Sequence, residues 1–307
     1  MINILFIKSE KAYLPEIDAY LEYFNNTDDF YAEAKSINNL SNYKDKFDIL
    51  WEFKGFRGVK PNKKQVLVHE YASLSTGKHY KSKNFIKEKF DYKPDLRVFL
   101  NNNLKEQLNF KHEAPFNYRD MGVDEVFFNQ RDREKKFDFV YLGSMNKGRE
   151  ITKLLDNFRN ADYTICLIGE PDAELYQEYK KYSNIHFVGK VDYKEVPKIA
   201  SQASYGINYI PNEYPYNIQT STKLLEYLAL NLKVVTTDYK WVRGFEKKYN
   251  NSFFYLSNNK IDFEKLENSE LNSYLPKENF LWLNIIENSG IKENLYKLLS
   301  QKKGILL

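Results

Sequence analysis

The chain has a single cysteine, Cys166, and no spaced set of Cys and His residues. That excludes a disulfide framework and a zinc-finger-type site, and it points to a reducing compartment. Cys166 falls within the apolar run Tyr163-Thr164-Ile165-Cys166-Leu167-Ile168, which predicts a buried core thiol. Long hydrophobic runs are missing too, and none has the length that a bilayer-spanning helix needs. The opening run Met1 to Ile7 is too short for the apolar core of a signal peptide and reads as a first strand. Together these absences predict a cytoplasmic protein. An excess of one charge is also lacking: 46 Lys and Arg against 42 Asp and Glu leave a net +4. That is too little, by itself, to indicate nucleic acid as a partner.

Aromatic residues are abundant. They make up 16% of the chain, with 25 Tyr and 22 Phe, and such side chains fill cores, line sugar sites and anchor proteins at membrane interfaces. The positive charge is clustered: Lys54, Arg57, Lys60, Lys63 and Lys64 form one group. Lys78, Lys81, Lys83, Lys87, Lys89 and Lys93 form a second, interleaved with Tyr80, Phe85 and Phe90. A basic and aromatic surface suits anionic headgroups or a phosphorylated lipid at the inner membrane as well as it suits nucleic acid. A merely solvated face has the same composition.

A length of 307 residues accommodates two domains, each with its own core. Apolar runs at residues 2–7, 47–51, 66–68 and 96–100 are spaced by helix-length segments. A second alternating series covers 137–142, 163–168, 185–188, 205–210, 234–237 and 253–256. This alternation implies βαβ units and parallel sheets. The expected fold is therefore α/β, with two Rossmann-like, doubly wound domains at 1–132 and 133–284, joined near the charged run Gln130 to Lys136. The segment around Gly122 reads as a turn, and the stretch after Glu278 as two amphipathic helices broken near Gly290.

In such sheets ligands bind beyond the carboxyl ends of the strands. The most informative stretch there is Thr220-Ser221-Thr222-Lys223-Leu224-Leu225-Glu226-Tyr227. Three hydroxyl residues supply an N-cap, and Leu224, Leu225, Leu228 and Ala229 form one apolar stripe. Thr222, Lys223 and Glu226 share the opposite face. A cation at a helix N-terminus opposes the dipole unless an anion is nearby, and the free amides of the first turn suit a phosphate. Glu226, one turn on, is placed to accept hydrogen bonds from a ribose diol; a solvated Lys–Glu pair is the alternative. The loop Gly143-Ser144-Met145-Asn146-Lys147-Gly148-Arg149 repeats the pattern, with Lys147 and Arg149 at a second helix start. Gly169-Glu170-Pro171 and Gly189-Lys190-Val191-Asp192-Tyr193 follow the next two strands, where glycine permits close approach of a base or a phosphate. His69 stands directly after the run Val66 to Val68, well placed to touch a polar ligand.

The order of these motifs resembles the GT-B glycosyltransferases of family 4, closely from about Tyr118 to Thr237 and in layout alone before that. The residues that carry it are Gly-Val-Asp at 122–124, Gly143-Ser144 with Arg149, Leu167-Ile168-Gly169, Asn184 to Gly189, and Lys223 to Ala229. The resemblance implies a retaining enzyme that uses a nucleotide-sugar donor, with its two domains facing across a cleft and residues 285–307 packed back on the first. It implies that Glu226 binds the ribose, and that Ser221 and Thr222 meet a diphosphate neutralised by Lys147 and Arg149. The loops at Gly169 and at Gly189 to Val191 would surround the base, and His69 would contact the donor sugar. The family's first glutamate corresponds to Ile218, with Asn217 and Gln219 as substitutes beside Thr220. The implied function is transfer to a glycan or lipid-linked saccharide in surface-polysaccharide synthesis, with no metal, no cofactor beyond the donor and no nucleic acid. A nucleotide-sugar epimerase on the same fold and a non-catalytic nucleotide-sugar-binding module are the competing readings.

Overall fold

A computed structural model describes residues 1–8, 14–53, 58–75, 80–89, 92–130, 134–145 and 150–304, except the side chains at 39, 41, 42, 80 and 87. The chain divides into two compact units, Met1–Gly122 with Asn279–Leu307, and Val123–Glu278.

The sheet of the first unit contains six parallel strands: β1 (Ile2–Lys8), β2 (Phe30–Ser36), β3 (Ile49–Phe53), β4 (Val66–Tyr71), β5 (Leu96–Phe99) and β6 (Phe116–Tyr118). Their order is β2-β1-β3-β4-β5-β6. Central strands β4 and β5 are buried along their whole length, as expected of a parallel sheet covered on both faces. The edges differ. β2 reads Phe-Tyr-Ala-Glu-Ala-Lys-Ser and β6 reads Phe-Asn-Tyr, and neither is an apolar run. Each gains its strand form from one neighbour, β1 for β2 and β5 for β6.

Gly122 is in this unit for a different reason from a turn. A Cβ there would lie 2.5 Å from the Trp282 ring, so the glycine makes room for the indole. Trp282 opens the helix Trp282–Glu287, which with Ile291–Lys303 completes the first unit. The Tyr23 hydroxyl donates to Glu287, Tyr296 Oη to Asp29 Oδ2 at 2.9 Å, and Lys303 Nζ to Asp48 Oδ1 at 2.8 Å. Beneath them Arg119, 1% exposed, pairs with Glu70, lies 3.7 Å from Glu16 and stacks on the Trp282 ring. Trp51 Nε1 donates to the second oxygen of Glu70 at 2.8 Å.

The second unit also has six parallel strands: β7 (Phe137–Leu142), β8 (Ile165–Ile168), β9 (Ile185–Gly189), β10 (Ala203–Asn208), β11 (Lys233–Thr236) and β12 (Phe254–Tyr255). The order β12-β11-β10-β7-β8-β9 reverses at β7, which puts the topological switch point between β7 and β10. Cys166 in β8 is fully buried, and burial pushes its thiol up to about 12. No helix among the described residues is long and apolar enough to cross a membrane.

Candidate functional site

The helix Thr222–Ala229 begins at the switch point, and Ser221 is its N-cap. The Ser221 hydroxyl accepts the Leu224 N–H at 3.3 Å and donates to Asn208 Oδ1 at 2.7 Å. Asn208, 1% exposed, donates from Nδ2 to Thr236 Oγ1 and to the Tyr239 hydroxyl, each at 2.9 Å. The cap therefore serves two purposes: it satisfies one orphan amide and pins the helix start onto the ends of β10 and β11. Leu224, Leu225, Leu228 and Ala229 are all buried, as the apolar stripe requires.

Tyr227 is buried in the same helix and holds the switch point together. β7 and β10 are paired as far as Val140 and Gly206. Past that point the Leu142 N–H donates to the Tyr227 hydroxyl at 2.8 Å, and the hydroxyl donates to the Ile207 carbonyl at 3.3 Å. One phenol thus occupies the gap where two neighbouring strands diverge.

Gly143 and Ser144 leave the end of β7 beneath the helix start. Gly143 has φ +130°, and a Cβ on it would lie 3.2 Å from Cε of Lys223, so the lysine stem lies across this bare backbone. A cavity of about 140 Å³ opens here, lined by Gly143, Ser144, Asn208, Ile210 and Lys223 among others. Lys223 Nζ is 3.4 Å from Thr222 Oγ1, and among the described residues it has no carboxylate at ion-pairing distance. The amides of Thr222 and Lys223 precede the first bond of the helix backbone, Leu225 N–H to the Ser221 carbonyl at 3.3 Å. A cation and a positive dipole end at one place suit an anion.

Glu226 is one turn deeper and only 7% exposed. The Tyr193 hydroxyl donates to its Oε1 at 3.0 Å. Burial raises the carboxyl's pKa above the ordinary range, while Lys223 and the Tyr193 hydrogen bond oppose that rise. The arrangement places a buried carboxyl one turn from the cation of Lys223, with Oε2 making no hydrogen bond among the described residues.

The strand-end glycines divide into two kinds. Gly169, at φ +140°, is required by the chain itself, since a Cβ there would lie 2.1 Å from the Gly143 carbonyl oxygen. Gly189 faces open space, with nothing within 4 Å of a Cβ. The amide of Gly143 donates to the Ile168 carbonyl and that of Gly169 to the Gly189 carbonyl, both at 2.9 Å, tying the three loops into one rim. Glu170 is exposed on this rim, and Val191 is half-buried.

Before the helix, Tyr216–Ile218 forms a short turn that carries Asn217, with Gln219 and Thr220 following, all half-buried. Asn217 Oδ1 and Gln219 Nε2 are buried atoms without a hydrogen-bond partner among the described residues, and such atoms await a ligand or a water. A larger cavity of about 660 Å³ lies past the ends of β10 to β12, lined by Glu150, Asn212, Glu213, Asp238 and the two asparagines 258 and 259 among others. It shares Tyr209 and Ile210 with the smaller one.

Lys147 and Arg149 lie outside the described residues. His69 belongs to the first unit and does not stand beyond a strand end, as its sequence position suggests. It lies inside β4, fully buried, with Nε2 3.2 Å from Glu52 Oε2 and Nδ1 3.4 Å from the Tyr71 hydroxyl. The strand runs three residues further than the apolar run because Glu52 on β3 and Arg97 on β5 are its cross-strand neighbours, and polar side chains continue the pairing. Two contributions to the site escape sequence inspection: Asn208, and Tyr227 as a bridging phenol. Tyr227 ends the nominated stretch Thr220 to Tyr227 and Tyr193 ends the nominated loop that begins at Gly189, but the sequence assigns a role to neither hydroxyl.

Residues 136–261 match the family described as Glycosyl transferases group 1. No curated protein matches the sequence. Among solved structures, sucrose-phosphate synthase from Thermosynechococcus elongatus is similar over 99% of this chain and 98% of its own, with a TM-score of 0.61 at 11% identity. A glycosyltransferase of avilamycin A biosynthesis gives 0.60 at 11% identity, over 98% of this chain and 99% of that one. A phage T4 enzyme bound to its substrate UDP-glucose gives 0.53 at 15% identity, over 100% and 99%. At such identities the likeness is one of fold. The chain has the two-unit α/β fold of GT-B glycosyltransferase structures, and its second unit carries the glycosyl transferases group 1 match.

Proposed function

We propose that this protein is a glycosyltransferase that takes a sugar from a nucleotide-sugar donor. The observation that carries the proposal is the meeting, at the β7–β10 switch point, of the Thr222–Ala229 helix start, Lys223 and the buried carboxylate of Glu226. A diphosphate suits the first two, because the amides and the ammonium supply fixed positive charge where negative charge grows as the leaving group departs. A ribose diol suits the third. Lys147 and Arg149, at the neighbouring helix start in sequence, are assigned to the same diphosphate. The orphan amide atoms of Asn217 and Gln219 suit hydroxyls of the donor sugar. The match of residues 136–261 supports the assignment independently of the geometry.

The finer reading is a hexosyl transfer with retention, to a glycan or lipid-linked saccharide of a surface polysaccharide, without a metal. Its support is the motif order from Gly122 to Thr237. The reaction is placed at the cytoplasmic face of the membrane, a position that fits the basic and aromatic residues of the first unit.

The test is a screen of nucleotide sugars by thermal shift, followed by product analysis in the presence of EDTA. Slow release of free nucleoside diphosphate from one donor, undiminished by EDTA, is the expected result. Binding with no turnover under any acceptor would make the protein a binding module. Interconversion of the donor sugar without release would make it an epimerase.

A further inference from the structure

Glu226 presents an unusual problem in charge placement. It is nearly enclosed, and a carboxylate in such a position needs hydrogen bonds to remain ionised. Oε1 has one, from the Tyr193 hydroxyl at 3.0 Å. Oε2 has none among the described residues. Tyr193, in turn, is held from two sides. Its ring packs on that of Phe127, with centroids 5.3 Å apart, and Phe127 is fully buried. Its turn, Tyr193–Glu195, is capped by Asp192, whose carboxylate accepts the Lys194 N–H at 2.9 Å. A rigid phenol thus fixes the rotation of a carboxylate whose second oxygen is unspent.

We infer that Tyr193 is a positioning residue that sets the preference of this site for a ribonucleotide over its 2′-deoxy counterpart. By occupying Oε1 and orienting the carboxyl plane, it leaves Oε2 as the acceptor for the sugar hydroxyls. The inference rests on the nucleotide-sugar reading of the site and deepens it. Discrimination follows from the cost of an unmet acceptor: a site built to receive a hydroxyl rejects a ligand that lacks it, because an oxygen that the bound nucleotide shuts off from water is then left unpaired. Without the phenol the carboxyl is free to rotate, so it meets either sugar with a compromise geometry.

The experiment is calorimetric titration of the full chain with the four common ribonucleoside diphosphates, then with the 2′-deoxy form of the one that binds. Wild type is expected to favour the ribo form by about tenfold or more, the worth of one hydrogen bond to a charged group. In Tyr193→Phe the ring still packs on Phe127, so the fold is expected to persist with a lowered melting temperature, as Glu226 Oε1 loses its donor, while the ribo-to-deoxy ratio falls to about one to three. Glu226→Asp, which withdraws the carboxylate from the sugar hydroxyls and from the Tyr193 hydroxyl alike, is expected to lower the ratio in the same direction. An unchanged ratio in both variants overturns the inference while leaving the site assignment intact. Failure of every nucleoside diphosphate to bind wild type overturns the assignment itself, and the inference with it.

Discussion

Gly206 and Tyr227 compete for the same space: a Cβ on Gly206 would lie 2.4 Å from Cγ of the Tyr227 ring. The bare backbone of β10 is what lets the ring reach between β10 and β7, where its hydroxyl meets Leu142 and Ile207. Tyr227→Phe keeps the ring and leaves a buried N–H unpaired, so it is expected to cost about 1–3 kcal/mol. Gly206→Ala overpacks the same spot and is expected to cost at least ~1–3 kcal/mol. Urea unfolding of the two variants measures both. A Tyr227→Phe protein as stable as wild type would mean that the bridge contributes nothing.

Ser221 caps the helix that starts the anion site. Ser221→Ala is expected to lose about 1 kcal/mol of stability, with Ser221→Thr close to wild type. Because the same hydroxyl also anchors the helix start to Asn208, nucleoside diphosphate affinity is expected to fall in the Ala variant more than in the Thr variant. Parallel unfolding and titration experiments check the two effects.

Lys223 should show opposite effects on stability and on binding. Its charge opposes the helix dipole but also steadies the Glu226 carboxylate, so below about pH 4.5, where that carboxyl is protonated, Lys223→Met is expected to raise stability slightly, by ~0.3–1 kcal/mol at low salt. The same change is expected to weaken diphosphate binding about tenfold or more, since it removes one charge-assisted contact. Thermal melts with and without ligand separate these effects, and a lysine with no part in binding would show the first alone.

Glu226 gives a pH signature. Its folded pKa is raised above the ordinary value of 4.5, so the folded chain holds that proton more tightly than the unfolded one. The stability this lends is present below about 4.5 and is lost as pH rises through the folded pKa. Glu226→Gln never ionises, so it is expected to be more stable than wild type near neutral pH, with the gap closing towards about pH 4.5. Nucleotide binding is expected to weaken in the same variant, as a neutral acceptor replaces a charged one. Urea midpoints of both proteins across that range provide the measurement.

In the first unit, Arg119→Met leaves the carboxylates of Glu70 and Glu16 buried without their cation. The expected cost is ~3–5 kcal/mol, and it would appear as a fall in the urea midpoint.

Much of this was legible in the order of residues. Apolar runs marked β1, β3, β4, β5 and most of the second sheet, because central parallel strands are buried on both faces and tolerate little else. The hydroxyls before Lys223 and the stripe of Leu224, Leu225, Leu228 and Ala229 marked a capped helix packed on one face. The edge strands β2 and β6 were not legible. Their sequences carry no burial pattern, and pairing with a single neighbour decides their form. His69 was misplaced because the polar residues that follow Val68 look like a loop until Glu52 and Arg97 are set beside them.

Local pattern reports which side chains avoid water and how the backbone is punctuated, and from that the alternation of strands and helices, the capped helix and its stripe follow. Which strands become neighbours is a long-range choice. The reversal of order at β7 puts Gly143 under Lys223 and lets a phenol bridge Leu142 and Ile207. The same packing brings the Tyr193 hydroxyl to Glu226, 33 residues along the chain. No periodicity encodes those meetings, because they depend on the sum of all the packing choices in the second unit.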